Sequence, residues 1–71
     1  MSKMITKIAH YRQKDQIKQD ELAIMVGVRR ETINRLEKGQ YNPSLKLAYD
    51  IAKVFGVPIE KLFTFEDDIK K

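Results

Sequence analysis

Apolar residues recur along this chain at helical spacing, in short bursts separated by turn-forming residues. The first burst predicts a helix from about Lys7 to Lys14, with Ile8, Ala9 and Tyr11 on its inner side. A second, from about Gln19 to Val26, carries Leu22, Ala23 and Val26 at i, i+1 and i+4, and Gly27-Val28 follows as a turn. A third covers Arg30 to Lys38 and stops at Gly39, a natural left-handed terminator. The loop QYNP leads to Ser44, an N-cap for a strongly apolar fourth helix in which Leu45, Ala48, Ala52 and Phe55 share a face. Gly56 ends it, and Pro58 opens a short fifth segment anchored by Ile59, Leu62 and Phe63. Met4 to Thr6 and the run LFTF alternate at a strand-like period instead. They are able to pair as a small terminal β-ribbon, though runs this short are ambiguous.

Helices of this length are unstable alone, so packing among them must supply nearly all the stability. The pattern predicts an all-α fold, a compact five-helix bundle in one domain spanning residues 1–71, with a core of about 7–63. Residues 66–71 form a polar tail that is expected to fray. Met4 and Met25 read as core filler, and Tyr49 and Phe55 as members of the apolar fourth helix. Phe63 and Phe65 either cap the core or face a second subunit. The acidic cluster Glu66 to Asp68 reads as solvated.

Composition narrows the classes. The 71 residues contain no cysteine, which removes a disulfide framework. One histidine, His10, without partners argues against a metal site or a catalytic role, so no metal or cofactor is expected. No Ser/His/Asp set, glycine-rich phosphate loop or isolated carboxylate pair supports an enzyme. The longest apolar run, Leu22 to Val28, is too short to span a bilayer, and the first ten residues lack a signal-peptide core. A cytoplasmic domain is the expectation.

Charge is distributed unevenly. Up to Lys38 nine Lys/Arg face five acids, whereas from Gly39 onward five lysines balance five acids. The whole +4 excess therefore lies in the first half, which suits a polyanionic partner but is not unique to one. With Arg30 at 0° on a wheel of about 100° per residue, Asn34, Glu31 and Arg35 fall within about 140°, and Ile33 and Leu36 fall opposite. Arginine can bind guanine bidentately, asparagine can pair with adenine, and glutamate can accept from cytosine. A solvated face with a Glu31–Arg35 ion pair explains the same wheel equally well.

The wider motif set resolves this. Gln19, ELA at Glu21 to Ala23, VGV at Val26 to Val28, TI at Thr32-Ile33, LEKG at Leu36 to Gly39 and NPSL at Asn42 to Leu45 occur together. In this the chain resembles the Cro/CI-type (XRE, lambda-repressor-like) helix-turn-helix transcriptional regulators, from Gln19 to Val57 and loosely throughout. The resemblance implies that the second and third helices form the helix-turn-helix and that the third enters the major groove. It places base contacts on Arg30, Glu31, Asn34 and Arg35. It places DNA-backbone contacts on Gln19, Arg29, Thr32, Lys38, Gln40, Tyr41 and Asn42, and Lys18, beside Gln19, adds positive charge for the same backbone. Arg12 and Glu37 match a structural ion pair. The implied protein is a homodimeric repressor on an inverted repeat of double-stranded DNA, with Leu62, Phe63 and Phe65 in the dimer interface. No small-molecule effector is evident. An alternative is an antitoxin-type protein-interaction module that also represses its own operon.

Two departures stand out. Lys18 and Arg29 occupy N-cap positions where the family usually has Ser or Thr, a loss of about 0.5–2 kcal/mol per cap. Gln16 replaces a frequent turn glycine, so that corner is expected to be strained or differently shaped.

Overall fold

A computed structural model describes residues 2–67 and orders them as strand β1 (Ser2–Thr6), helices α1 (Ile8–Lys14), α2 (Gln19–Val26), α3 (Arg30–Glu37), α4 (Leu45–Phe55) and α5 (Ile59–Leu62), and strand β2 (Phe63–Asp67). The two strands pair antiparallel, Met4 opposite Phe65 and Thr6 opposite Phe63. The Lys7 N–H continues the ladder to the Leu62 carbonyl at 2.9 Å. Five helices with a terminal ribbon match the pattern of the sequence.

Each of the first four helices ends in one geometry. Ile17, Val28, Gln40 and Val57 donate their N–H groups five residues back, to Arg12, Ala23, Arg35 and Ala52, at 2.9–3.1 Å. This closure needs a left-handed residue one position earlier. Gly27, Gly39 and Gly56 supply it at three helices, and Gln16, with φ of 59°, supplies it at the first. A side chain in that region costs about 1–2 kcal/mol, so the α1–α2 corner is the strained one the sequence suggested. Starts are less uniform. Ser44 caps α4 by accepting from the Leu47 N–H at 3.1 Å, while Lys7, Lys18 and Arg29 cap nothing with their side chains.

The core is built from Met4, Ile8, Leu22, Ala23, Ile33, Leu36, Leu47, Ala48, Ile51, Ala52, Leu62 and Phe63. Several sequence expectations need correction. Leu45 is 78% exposed, and α4 turns Leu47 and Ile51 inward beside Ala48 and Ala52. The inward face of α4 is set by Leu47, Ala48, Ile51 and Ala52, which leaves Leu45 about a quarter turn to one side at the helix start. Met25 lies on the outer side of α2 and is exposed, whereas Met4 is buried. The polar tail expected from residue 66 instead begins within β2, because β1 supplies hydrogen-bonding partners as far as the Ser2–Asp67 pair. Residues 68–71, including Asp68 of the acidic cluster, lie outside the described residues.

Candidate nucleic-acid interface

The side chains of α3 divide as its wheel requires. Ile33 and Leu36 are fully buried against the body, while Arg30, Glu31 and Arg35 are exposed and Thr32 and Asn34 half-buried. Burying two branched aliphatic side chains contributes roughly 1.5–3 kcal/mol each, which fixes the helix and leaves its polar face outward. That face forms an open groove lined by Gln19, Arg30, Glu31, Asn34 and Arg35. The groove continues toward α1 and α2, where Arg12, Lys18, Gln19, Asp20 and Arg30 line it. All four base-reading candidates are therefore brought together, with Gln19 and Lys18 at their edge.

A hydrogen-bonded relay runs beneath this groove. Arg12 Nε donates to Glu37 Oε2 at 2.7 Å and its Nη2 to Oε1 at 3.3 Å, while Nη1 reaches the Ile17 carbonyl at 3.0 Å. The two side chains are only 14% and 10% exposed. The Arg12–Glu37 ion pair expected from the sequence is thus present, bidentate and nearly covered. Gln19 Nε2 then donates to Glu37 Oε1 at 2.9 Å. A carboxylate can only accept, so the amide oxygen of Gln19 must face the other way. There it accepts from Arg30 Nε at 3.4 Å, a long bond. The orientation of Arg30 is linked by this chain to the joint between α1 and α3, a connection that spacing alone could not reveal.

The two missing caps differ. At α2 the Glu21 carboxylate accepts from the Lys18 N–H at 2.8 Å, giving half a capping box. The reciprocal half is impossible, because a lysine ammonium has no lone pair. At α3 the Arg29 carbonyl accepts from Thr32 and Ile33, but no side-chain oxygen covers the helix start. The N–H groups of Arg30 and Glu31, the first two residues of α3, are thus left without a side-chain cap at Arg29.

Other candidates are placed apart. Lys38 is the exposed C-cap of α3. Gln40, Tyr41 and Asn42 are exposed on a separate groove, shared with Lys3, Met4, Gly39 and Phe65. Arg29, Thr32 and Lys38 line none of these three grooves. Leu62 and Phe63, expected at a dimer interface, are 1% and 8% exposed. The Leu62 side chain is taken up by the core of this chain and offers no surface to a second copy, whereas Phe63, though mostly buried, forms part of the wall of an apolar groove with Phe65. Phe65 is 59% exposed and does offer one. Sequence reasoning passed over Asp20 and Lys3, whose only signal was their place next to residues already singled out. Among the described residues no cluster of His, Cys, Asp or Glu could hold a metal ion, and His10 packs edge-on against Tyr11. No helix of the described residues is long and apolar enough to cross a membrane.

Comparison with known proteins adds an independent line. A helix-turn-helix family model matches residues 8–62. An uncharacterized HTH-type transcriptional regulator of Archaeoglobus fulgidus is 60% identical over 65 residues, covering 92% of this chain and 93% of the relative. The transcriptional repressor RstR of the cryptic phage CTXphi from Vibrio cholerae is 37% identical over 57 residues, 80% of this chain and 51% of RstR. A crystal structure of a Bacteroides fragilis protein proposed to bind DNA superposes with a TM-score of 0.76, covering 86% of this chain and 98% of that one. At 24% identity that match speaks to the fold alone.

Proposed function

The chain belongs to the Cro/CI-type (XRE) helix-turn-helix family of DNA-binding transcriptional regulators, and from that premise we propose that it is a repressor reading double-stranded DNA with α3 as a homodimer on an inverted repeat. The observation that carries the reading is the single groove formed by Gln19, Arg30, Glu31, Asn34 and Arg35. Its chemistry is that of major-groove recognition, with arginine forks, an amide and a carboxylate on one exposed helix face. Lys18, Gln19 and Arg29 flank it where phosphates run past a recognition helix, and the uncapped start of α3 adds backbone donors. Lys38, Gln40, Tyr41 and Asn42 serve the backbone beyond the other end of α3. Repression is favoured by the resemblance to the phage repressor.

Dimerisation follows from the small size of one module, which buries only about 600–1,000 Å² of protein on DNA. Two copies on half-sites about one helical turn apart combine their contacts. Leu62 is replaced in this role: the self-contact surface is the apolar groove beside Phe65, whose lining includes Phe63 together with Pro43, Leu45, Ala48 and Ile59. Phe65 and Leu45 stand exposed at its rim.

Selection of bound sites from random DNA, with measurement of the size of the complex, tests the reading. The expected product is an inverted repeat bound by two copies. Arg30→Ala or Arg35→Ala should weaken binding by about 1–3 kcal/mol and relax the preference at one base position per half-site. Equal weakening on every sequence would reduce these residues to phosphate contacts.

A further inference from the structure

One strand of the ribbon lies against the end of the recognition helix. The Gly39 backbone, with φ of +72°, sits so near the Met4 carbonyl that an added β-carbon would lie 2.6 Å from the oxygen. Two residues along β1, the Thr6 hydroxyl donates to the Glu37 carbonyl at 3.3 Å. The strand is thereby held in fixed relation to α3, and Lys3 lines one groove with Gln40, Tyr41 and Asn42. The side chains of these four residues include an ammonium, two amides and a phenol, all able to donate hydrogen bonds. No carboxylate lines that groove. The nearest by strand register is Glu66, directly opposite Lys3 on β2.

We infer that the ribbon is a second DNA-contacting element, in which Lys3 binds the phosphate backbone beside Gln40, Tyr41 and Asn42. The inference rests on the DNA-binding reading above and extends it to a strand outside the helix-turn-helix. A lysine is suited to this role as a point charge that needs no fixed fork geometry. Docking on Gly39 and Glu37 makes the strand move with the recognition helix, so the contact adds to affinity without a separate hinge to order. Glu66 then acts against it, as an anionic neighbour that competes with phosphate for the same ammonium.

The test is a salt series, from about 50 to about 200 mM, of anisotropy titrations on the selected operator with the full chain. Lys3→Gln should make the slope of log K against log salt shallower by about 0.9 per copy, nearly 2 for a dimer, with the ranking of operator variants unchanged. Lys3→Arg should restore the slope, and Glu66→Gln should tighten binding. Lys46→Gln, which removes an exposed charge paired with Asp50 on α4, is the control and should leave the slope alone. A Lys3→Gln slope equal to that of the unaltered chain overturns the inference. Arg30→Ala in the same series keeps the two readings separate. If it relaxes base preference while Lys3→Gln is silent, only the ribbon contact is refuted. If it weakens all sequences alike while Lys3→Gln lowers the slope, the ribbon contact stands and base reading by Arg30 fails.

Discussion

Replacing Arg12 with methionine would strip the Glu37 carboxylate of its guanidinium while leaving it nearly covered. In the native chain that carboxylate receives two bonds from Arg12, at 2.7 and 3.3 Å, and one from Gln19 at 2.9 Å. The variant keeps only the last. Breaking a buried ion pair from one side costs about 3–5 kcal/mol. The residual exposures of 14% and 10% let water reach the survivor, so the lower end, about 3 kcal/mol, is the working figure. A chain of this length has a total stability of about 4–10 kcal/mol, and its melting temperature should fall by about 12–24 °C. Adding Glu37→Leu removes the stranded charge, and apolar replacement of both partners is often close to neutral. The double variant should therefore regain most of the lost stability in thermal melts followed by circular dichroism. Its operator affinity should stay low, because Gln19 has lost the carboxylate that turns its oxygen toward Arg30. A double variant as unstable as Arg12→Met would refute the ion-pair account. One that recovers affinity along with stability would refute the relay.

Three further outcomes are expected. Gln16→Gly should raise stability by about 0.5–1 kcal/mol, the left-handed penalty less the extra chain entropy of glycine; a lower melting point would show that Gln16 makes a compensating contact. Arg29→Ser restores a cap oxygen, so stability should rise by about 1 kcal/mol while affinity and its salt dependence both fall. Unchanged affinity there would mark Arg29 as a solvated side chain. Phe65→Glu should yield monomers in sedimentation while the helical signal persists, and a dimer that survives the change would move the self-contact surface elsewhere.

Where one residue type meets one backbone demand, the sequence was legible. Gly27, Gly39 and Gly56 marked the ends of three helices, Ser44 the start of the last of them, and the two-faced wheel of α3 its orientation. Gln16 was legible as a fault before its φ was known. In α4, by contrast, apolar residues cover most of the circumference, so the period alone admits a face that includes Leu45. The body covers the side of α4 that carries Leu47 and Ile51 beside Ala48 and Ala52, and a helical period alone does not show which side that is. Leu62 is withdrawn as an interface residue for a related reason: a one-dimensional pattern shows that a side chain avoids water, not which chain covers it. The base-reading candidates were legible as a set because one helix carries all four, but the Gln19–Arg30 link joins residues from two helices and depends on how those helices pack.

The ribbon also bears on the order in which the chain assembles. Its Ser2–Asp67 pairing closes the full described length, whereas α2 and α3 meet within a stretch from Gln19 to Glu37. Loop-closure entropy grows with the length enclosed, and contacts between distant residues are correspondingly slow to form. The helix-turn-helix can therefore become structured while the strands are still apart, and zipping of β1 to β2 completes the fold afterwards. Amide exchange under native conditions should register this as earlier opening of the strand amides than of those within α2 and α3.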